Sequence, residues 1–238
     1  MATMKRVLRR SSLVLIPLSL GAGLWLERLF MPLSFLFLLS ALGGMHSRFE
    51  QRAVREEEVV LIASLAAIAA VSRVPFAAVP GVQPTSFVIV MSGVVLGPGA
   101  GFMIGSVGAF VSNVFLGQGP WTLWQMLAWG LMGVTSGWLG HRDRELSLAA
   151  LCLFGFVWGF LFGWIMNVWV AVGLFEALNL EVVWTVVVAS FFFDLAHGVS
   201  NVFFLLMFSR RWRLMLNRVI RKFGLFRNNA KRIPVGGE

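Results

Sequence analysis

The chain is written as a series of long apolar runs, each bounded by charge, glycine or proline. In order they are Ser12–Leu26, Leu29–Met45, Val59–Val74, Thr85–Leu96, Ala100–Leu116, Thr122–Leu139, Leu146–Phe175 and Val182–Phe208. A spanning helix needs about 17–25 such residues, and most of these runs meet that length. A chain that is 58% hydrophobic and only 13% charged has too little charge to coat a water-soluble domain. An all-α integral membrane protein is therefore expected. Ser12–Leu26 is marginal in length. Thr85–Leu96 is shorter still, covering about 18 Å of a ~30 Å hydrocarbon core. Its ends must be sheltered by protein.

Charge sets an orientation. If the N-terminus is inside and every run crosses once, all but Arg28 and Arg73 of the 20 Lys and Arg residues fall on the cytoplasmic side. The outer loops then carry Glu27, Glu176 and Glu181. This positive-inside bias predicts eight crossings in the cell membrane with both termini cytoplasmic. It also accounts for the net charge of +9 without nucleic acid as a partner.

Four segments follow. Residues 1–45 form a hydrophobic hairpin; Lys5–Arg10 before an apolar run resembles a secretory signal, but no small-residue cleavage site follows. Residues 46–58, HSRFEQRAVREEE, are a charged cytoplasmic linker. Residues 59–208 are a six-helix membrane domain. Residues 209–238 are a basic tail, in which Trp212, Leu216, Val219 and Phe223 fall at helical spacing opposite the basic positions, as in helices that lie on anionic lipid.

Two polar, Gly/Pro-punctuated segments interrupt the domain. One is Val82-Gln83-Pro84 and the other Gly117-Gln118-Gly119-Pro120-Trp121. A descent and a return separate them, so both belong on one membrane face. Irregular polar backbone is tolerated there only where protein or a cavity satisfies it. Gln118, Trp121 and Gln125 read as contacts to a bound small molecule, since an aromatic wall beside convergent amides is the make-up of a recessed pocket. Trp129 and Trp138 read as aromatic anchors at the interface. Arg73 is placed either to snorkel or to recognise cargo.

Asp194, His197 and Asn201 are spaced by three and four, so they share a helical face. A carboxylate at that depth calls for a partner, and His197 is the nearest in sequence. The set is either the floor of a pocket or a polar group that fixes helix packing, with Arg73 or Asn113 as partners across the bundle. An intramembrane enzyme using Asp194 and His197 as acid and base is the alternative, but no GxSxG nucleophile is present. No catalytic residue is assigned. With Cys152 as the single cysteine, neither an internal disulfide nor a thiolate metal cluster can form, and no metal or cofactor is expected.

Small residues Ala63, Ala67 and Ala70 in the first domain helix permit close helix approach, either within the chain or to another subunit. Gly97-Pro98-Gly99-Ala100-Gly101, with Gly105 and Gly108, is a tight turn leading into a close-packed helix. It lacks the Lys-Ser/Thr pair of a phosphate loop. Energy from ATP must therefore arrive through a partner.

The six helices, the AxxxA-type first helix, and the run RVPFAAVPGVQPTSFVIVMSGVVLGPGAGFMIGSVGAFVSNVFLGQGPWTLWQMLAWGLMG from Arg73 to Gly133 resemble the substrate-binding S component of an energy-coupling-factor (ECF) vitamin transporter. The run is most similar to the subgroup associated with cobalamin uptake. The resemblance covers about Glu58–Phe208 and leaves the N-terminal hairpin outside it. It implies a six-helix S-component bundle that captures a vitamin, cobalamin or a related corrinoid, or else a different micronutrient, at the outer face. The loops Pro75–Pro84, Gly117–Trp121 and Glu176–Glu181 would close the pocket. It implies delivery through a T subunit and two ATP-binding subunits, with Ala63, Ala67 and Ala70 as the docking face. The expected cargo contacts are Arg73, Gln83, Asn113, Gln118, Trp121, Gln125, Asp194, His197 and Asn201.

Overall fold

The computed structural model describes residues 30–50, 55–140, 146–174 and 179–226. These form seven α-helices: α1 (Phe30–Glu50), α2 (Glu56–Arg73), α3 (Pro84–Leu96), α4 (Pro98–Leu116), α5 (Trp121–Gly140), α6 (Leu148–Leu174) and α7 (Leu180–Phe223), with one 3-10 turn (Val74–Phe76) after α2. No strand occurs among the described residues. The run Ser12–Leu26 lies outside them. Helix α1 corresponds to the second apolar run but continues through His46 to Glu50, into the charged segment.

Four of these helices are long and apolar enough to cross a membrane: α2 with its 3-10 extension, α4, α6 and α7. The chain is a multi-pass membrane protein. Helix α3, at 13 residues, is too short to span alone, and its residues from Pro84 to Gly93 are buried throughout. Protein surrounds it where lipid could not complete it. Helix α5 is less apolar because it carries Thr122, Gln125, Thr135 and Ser136; it too is mostly enclosed.

Two pairs of helices pack at backbone distance. On α4 and α5, Gly101 lies against Gly133, and a side chain at either would collide with the opposing carbonyl group. On α6 and α7, Gly159 lies against the backbone of Gly198. In lipid, where apolar side chains gain little by leaving solvent, such approach supplies association through dispersion and weak polar contacts. A central cluster built on Leu65, Ile89, Met91, Ile104, Trp129 and Met132 fills the space between these pairs.

The tail departs from expectation. No break separates the last membrane run from the basic segment, and α7 is one helix of 44 residues. At ~1.5 Å per residue it is about 66 Å long, roughly twice the hydrocarbon thickness. Nothing between Gly198 and Gly224 breaks a helix, and Arg, Leu and Met sustain one. Gly224 ends it in the left-handed region at φ 61°, where a glycine avoids the Cβ penalty. The apolar face also differs from the expected one. Leu216 and Ile220 are buried in the main core and Trp212 packs edge-on to Phe87 at 5.4 Å, whereas Phe223 is exposed. This end of α7 rests on the bundle. Arg55 Nη1 donates to the carbonyls of Phe223 (3.3 Å) and Gly224 (3.1 Å), and the Phe226 amide donates to Glu58 Oε1 at 2.6 Å.

Candidate functional site

Arg73 ends α2, Ser112 and Asn113 close α4, and Thr122 and Gln125 open α5. The short turn between α4 and α5 brings all of them together. Gly117 takes φ 109°, a conformation that favours glycine, and its amide donates to the Asn113 carbonyl at 2.9 Å. The chain can then reverse at once into α5.

A continuous polar network results. Arg73 Nη1 donates to Ser112 Oγ at 3.0 Å and to Asn113 Oδ1 at 2.8 Å. Asn113 Nδ2 donates in turn to Thr122 Oγ1 at 3.0 Å and Gln125 Oε1 at 2.7 Å. Thr122 Oγ1 donates to Gln118 Oε1 at 2.9 Å, and Gln118 Nε2 reaches back to the Phe110 carbonyl at 3.1 Å. Ser112, Asn113, Thr122 and Gln125 are buried. The guanidinium carbon of Arg73 sits 5.0 Å from the centroid of the Trp129 ring. Among the described residues no carboxylate pairs with Arg73.

A second chain of bonds begins beneath that ring. Trp129 Nε1 donates to Ser86 Oγ at 3.0 Å, and Ser86 Oγ lies 2.7 Å from His197 Nε2. An indole N–H only donates, so the serine proton is free to go to the imidazole. Phe162 meets both rings, at 5.1 Å from His197 and 4.6 Å from Trp129.

The expected residues therefore divide. Arg73, Asn113, Gln118 and Gln125 share one network, and His197 is joined to it through Ser86 and Trp129. Asp194, His197 and Asn201 lie on one side of α7, all buried, yet each turns to a different partner. Asp194 does not pair with His197. Its Oδ2 accepts from Ser190 at 2.9 Å, Ser190 accepts from Asn167 Nδ2 at 2.8 Å, and the carboxylate rests on the backbone of Gly163. Asn201 Nδ2 donates to the Gly155 carbonyl at 2.8 Å. Both contacts belong to the α6–α7 interface. Gln83 bonds through its amide to Ser200 Oγ of α7 at 3.1 Å, so it does not join Gln118. Its buried Oε1 has no partner. Trp121 is surface-exposed at the mouth of α5, folded against Gly119.

Three residues take roles that the pattern did not single out. Trp129, expected as an interface anchor, is fully buried under Arg73; Trp138 is the exposed one. Ser86 and Ser112 are two of several small hydroxyls inside apolar helices, and nothing in the sequence sets them apart from Thr85, Ser92 or Ser106. The alanine face divides as well. Ala63 and Ala67 are exposed, with Val60 and Val71 near them. Ala70 is fully buried and faces the bundle, as do Ala66 and Ala69, the last two lying against Gly108 of α4. A subunit docking on α2 would meet Ala63 and Ala67 only. No group of three or more His, Cys, Asp or Glu side chains among the described residues could hold a metal.

The chain is similar to several curated proteins. A UPF0397 protein of Vibrio atlanticus (strain LGP32) is 33% identical over 84 residues, 33% of this chain and 46% of that protein. A UPF0397 protein of Aliivibrio fischeri (strain MJ11) is 29% identical over 119 residues, 43% of this chain and 64% of that protein. The match thus spans less than two thirds of the length of these relatives. No solved structure matches the chain. The profile of the ECF-type riboflavin transporter S component matches residues 55–210, the interval that contains α2–α6, most of α7 and the whole polar network. The chain belongs to this family, which is one of transporter subunits and not of enzymes.

Proposed function

We propose that this protein is the substrate-specific membrane subunit of an ECF-type importer. It captures a vitamin at the outer face and delivers it with a T subunit and two ATP-binding subunits. The observation that carries this reading is the Arg73–Asn113–Gln125 network, which sits at the α4–α5 turn inside a membrane bundle of this family. A cation sheltered there, with no carboxylate among the described residues to neutralise it, is costly unless a ligand uses it.

The charge pattern supports the orientation. With the basic end of α7 and the Arg48–Arg55 segment in the cytoplasm, the α4–α5 turn and the α2–α3 loop face outward. Ala63 and Ala67 on α2 supply the exposed small-residue face on which the T subunit docks.

Two cargoes have specific support. Riboflavin appears in the description of the matching family, and cobalamin follows from the resemblance of the Arg73–Gly133 run. Riboflavin is the better fit to the site. Arg73, Asn113, Thr122 and Gln125 already bond one another directly, so what the network still offers a cargo is the unbonded edge of one guanidinium, a match for one edge of a flat ring system. Isothermal titration of the purified protein with riboflavin and with cyanocobalamin tests this. Saturable binding of either supports a capture subunit, riboflavin binding supports the preferred cargo, and silence to every vitamin tried contradicts the reading.

A further inference from the structure

Arg73 uses only one of its three guanidinium nitrogens. Both hydrogen bonds that it makes, to Ser112 and to Asn113, leave from Nη1, and that nitrogen carries two hydrogens. The three remaining N–H groups, on Nη2 and Nε, bond nothing among the described residues. Neither nitrogen is among the fully buried polar atoms that lack a partner, so both remain reachable. Nη2 and Nε form one edge of the planar fork, the edge that grips two adjacent acceptors at once.

The plane is held firmly. Two bonds fix Nη1, and the Trp129 ring lies beneath at 5.0 Å. Trp129 is itself fixed by its bond to Ser86 and by complete burial. A snorkelling arginine would need none of this. An arginine serving helix packing alone would meet a carboxylate or spread its donors over several carbonyls. Here the far edge is positioned and empty-handed.

We infer that Arg73 is the specificity residue for the cargo head group, and that it reads through Nη2 and Nε a planar edge carrying two adjacent acceptors. This rests on the capture reading above and narrows it. Two chemical sources present such an edge: a carboxylate, and the carbonyl-plus-ring-nitrogen edge of a flavin-like heterocycle. Isolated amide carbonyls, such as those around a corrin ring, do not.

The test is calorimetric binding to the full-length protein in detergent, with biotin and pantothenate as carboxylate probes, riboflavin as the ring-edge probe and cyanocobalamin as the control. Each probe that binds is compared with an analogue whose edge is altered: biotin methyl ester, which loses the charge of the carboxylate and blocks one oxygen, or the 1-deaza and 5-deaza forms of riboflavin, which each lose one ring-nitrogen acceptor. In the wild-type protein the intact probe binds more tightly by about 10- to 100-fold. Arg73→Met loses that preference in either arm, and Arg73→Lys loses it in the ring-edge arm, where the analogues keep the same charge and a point charge does not replace a fork. Which arm binds identifies the source of the edge.

A structural role for Arg73 would lower binding of probe and analogue equally, and that result overturns the inference. So does, in the ring-edge arm, an Arg73→Lys variant that binds as the wild type does. Binding of cyanocobalamin alone keeps the capture reading and removes this one, whereas no binding by any probe removes both. Asn113→Gln serves where the Arg73 variants fail to fold, because it displaces the Nη1 anchor while retaining the charge. Loss of the probe-to-analogue preference in the ring-edge arm supports the inference, and a retained preference there contradicts it.

Discussion

Arg73 and Trp129, 56 positions apart in sequence, meet face to face with the guanidinium carbon 5.0 Å from the ring centroid. The contact joins the end of α2 to the middle of α5. It also couples the Arg73–Asn113–Gln125 network to the buried Ser86–His197 pair, since the same indole donates to Ser86. An aromatic face partly offsets the cost of a cation in a low-dielectric setting. It cannot supply the negative charge that a fully neutralised site would have.

Asn113→Asp supplies that charge from within. Asn113 Oδ1 already accepts from Arg73 at 2.8 Å, so a carboxylate there forms an ion pair with little movement. Thermal unfolding in detergent is expected near the wild-type temperature, the ion pair offsetting the lost Nδ2 donations to Thr122 Oγ1 and Gln125 Oε1, while cargo affinity falls by about 10-fold because the guanidinium charge is neutralised. Unchanged affinity would show that Arg73 does not face the cargo.

Ala67 and Ala70 separate docking from packing. Ala67 is exposed and Ala70 is fully buried. Ala67→Leu should abolish vitamin uptake by cells carrying the complete transporter and leave binding by the purified subunit intact. Ala70→Leu should destabilise the subunit itself, by about 1–3 kcal/mol for an overpacked site, and lower binding and uptake together. Uptake unaffected by Ala67→Leu would remove the docking assignment.

Asp194 is expected to behave as a packing residue. It bonds Ser190 and leans on Gly163 at the α6–α7 interface. Asp194→Asn keeps an acceptor for Ser190 and should leave cargo affinity within about twofold. Asp194→Leu leaves Ser190 only the Val187 carbonyl as acceptor and presses a larger group on Gly163, costing about 1–3 kcal/mol. A large drop in affinity for the Asn variant, with melting unchanged, would move Asp194 into the binding site.

The far end of α7 depends on Arg55 and Glu58. Both bridge from the start of α2 to the last turn, through bonds to the carbonyls of Phe223 and Gly224 and from the Phe226 amide. The double variant Arg55→Ala/Glu58→Ala should speed amide hydrogen exchange over residues 216–226, with binding at the opposite end unaltered. Protection equal to that of the wild type would mean that Leu216 and Ile220 hold the helix end unaided.

The membrane class and the all-helical build are legible because apolar length is a property of contiguous sequence. The short helix announces its own shelter: Thr85–Leu96 cannot span, and the structure buries it. Asn113, Gln118 and Gln125 are legible for a similar reason, since the α4–α5 turn places them within 12 positions of each other. The roles of Trp129, Ser86 and Ser112 are not. Each depends on a partner 39 to 111 residues away, and no local pattern separates a buried tryptophan from one at the lipid interface. Asp194 and His197 share a helix face, which spacing reveals, but not a partner, which depends on whether α3 or α6 lies opposite. The unbroken α7 was hidden by composition: the shift to basic residues at Arg210 leaves the helix intact.

The central claim is that this bundle holds a vitamin at the Arg73–Asn113–Gln125 network. Titration of riboflavin into the purified protein, repeated with Arg73→Met, tests it most directly. The account predicts saturable one-to-one binding by the wild type and a loss of about 10-fold or more in the variant. Binding of equal strength in both proteins would contradict it.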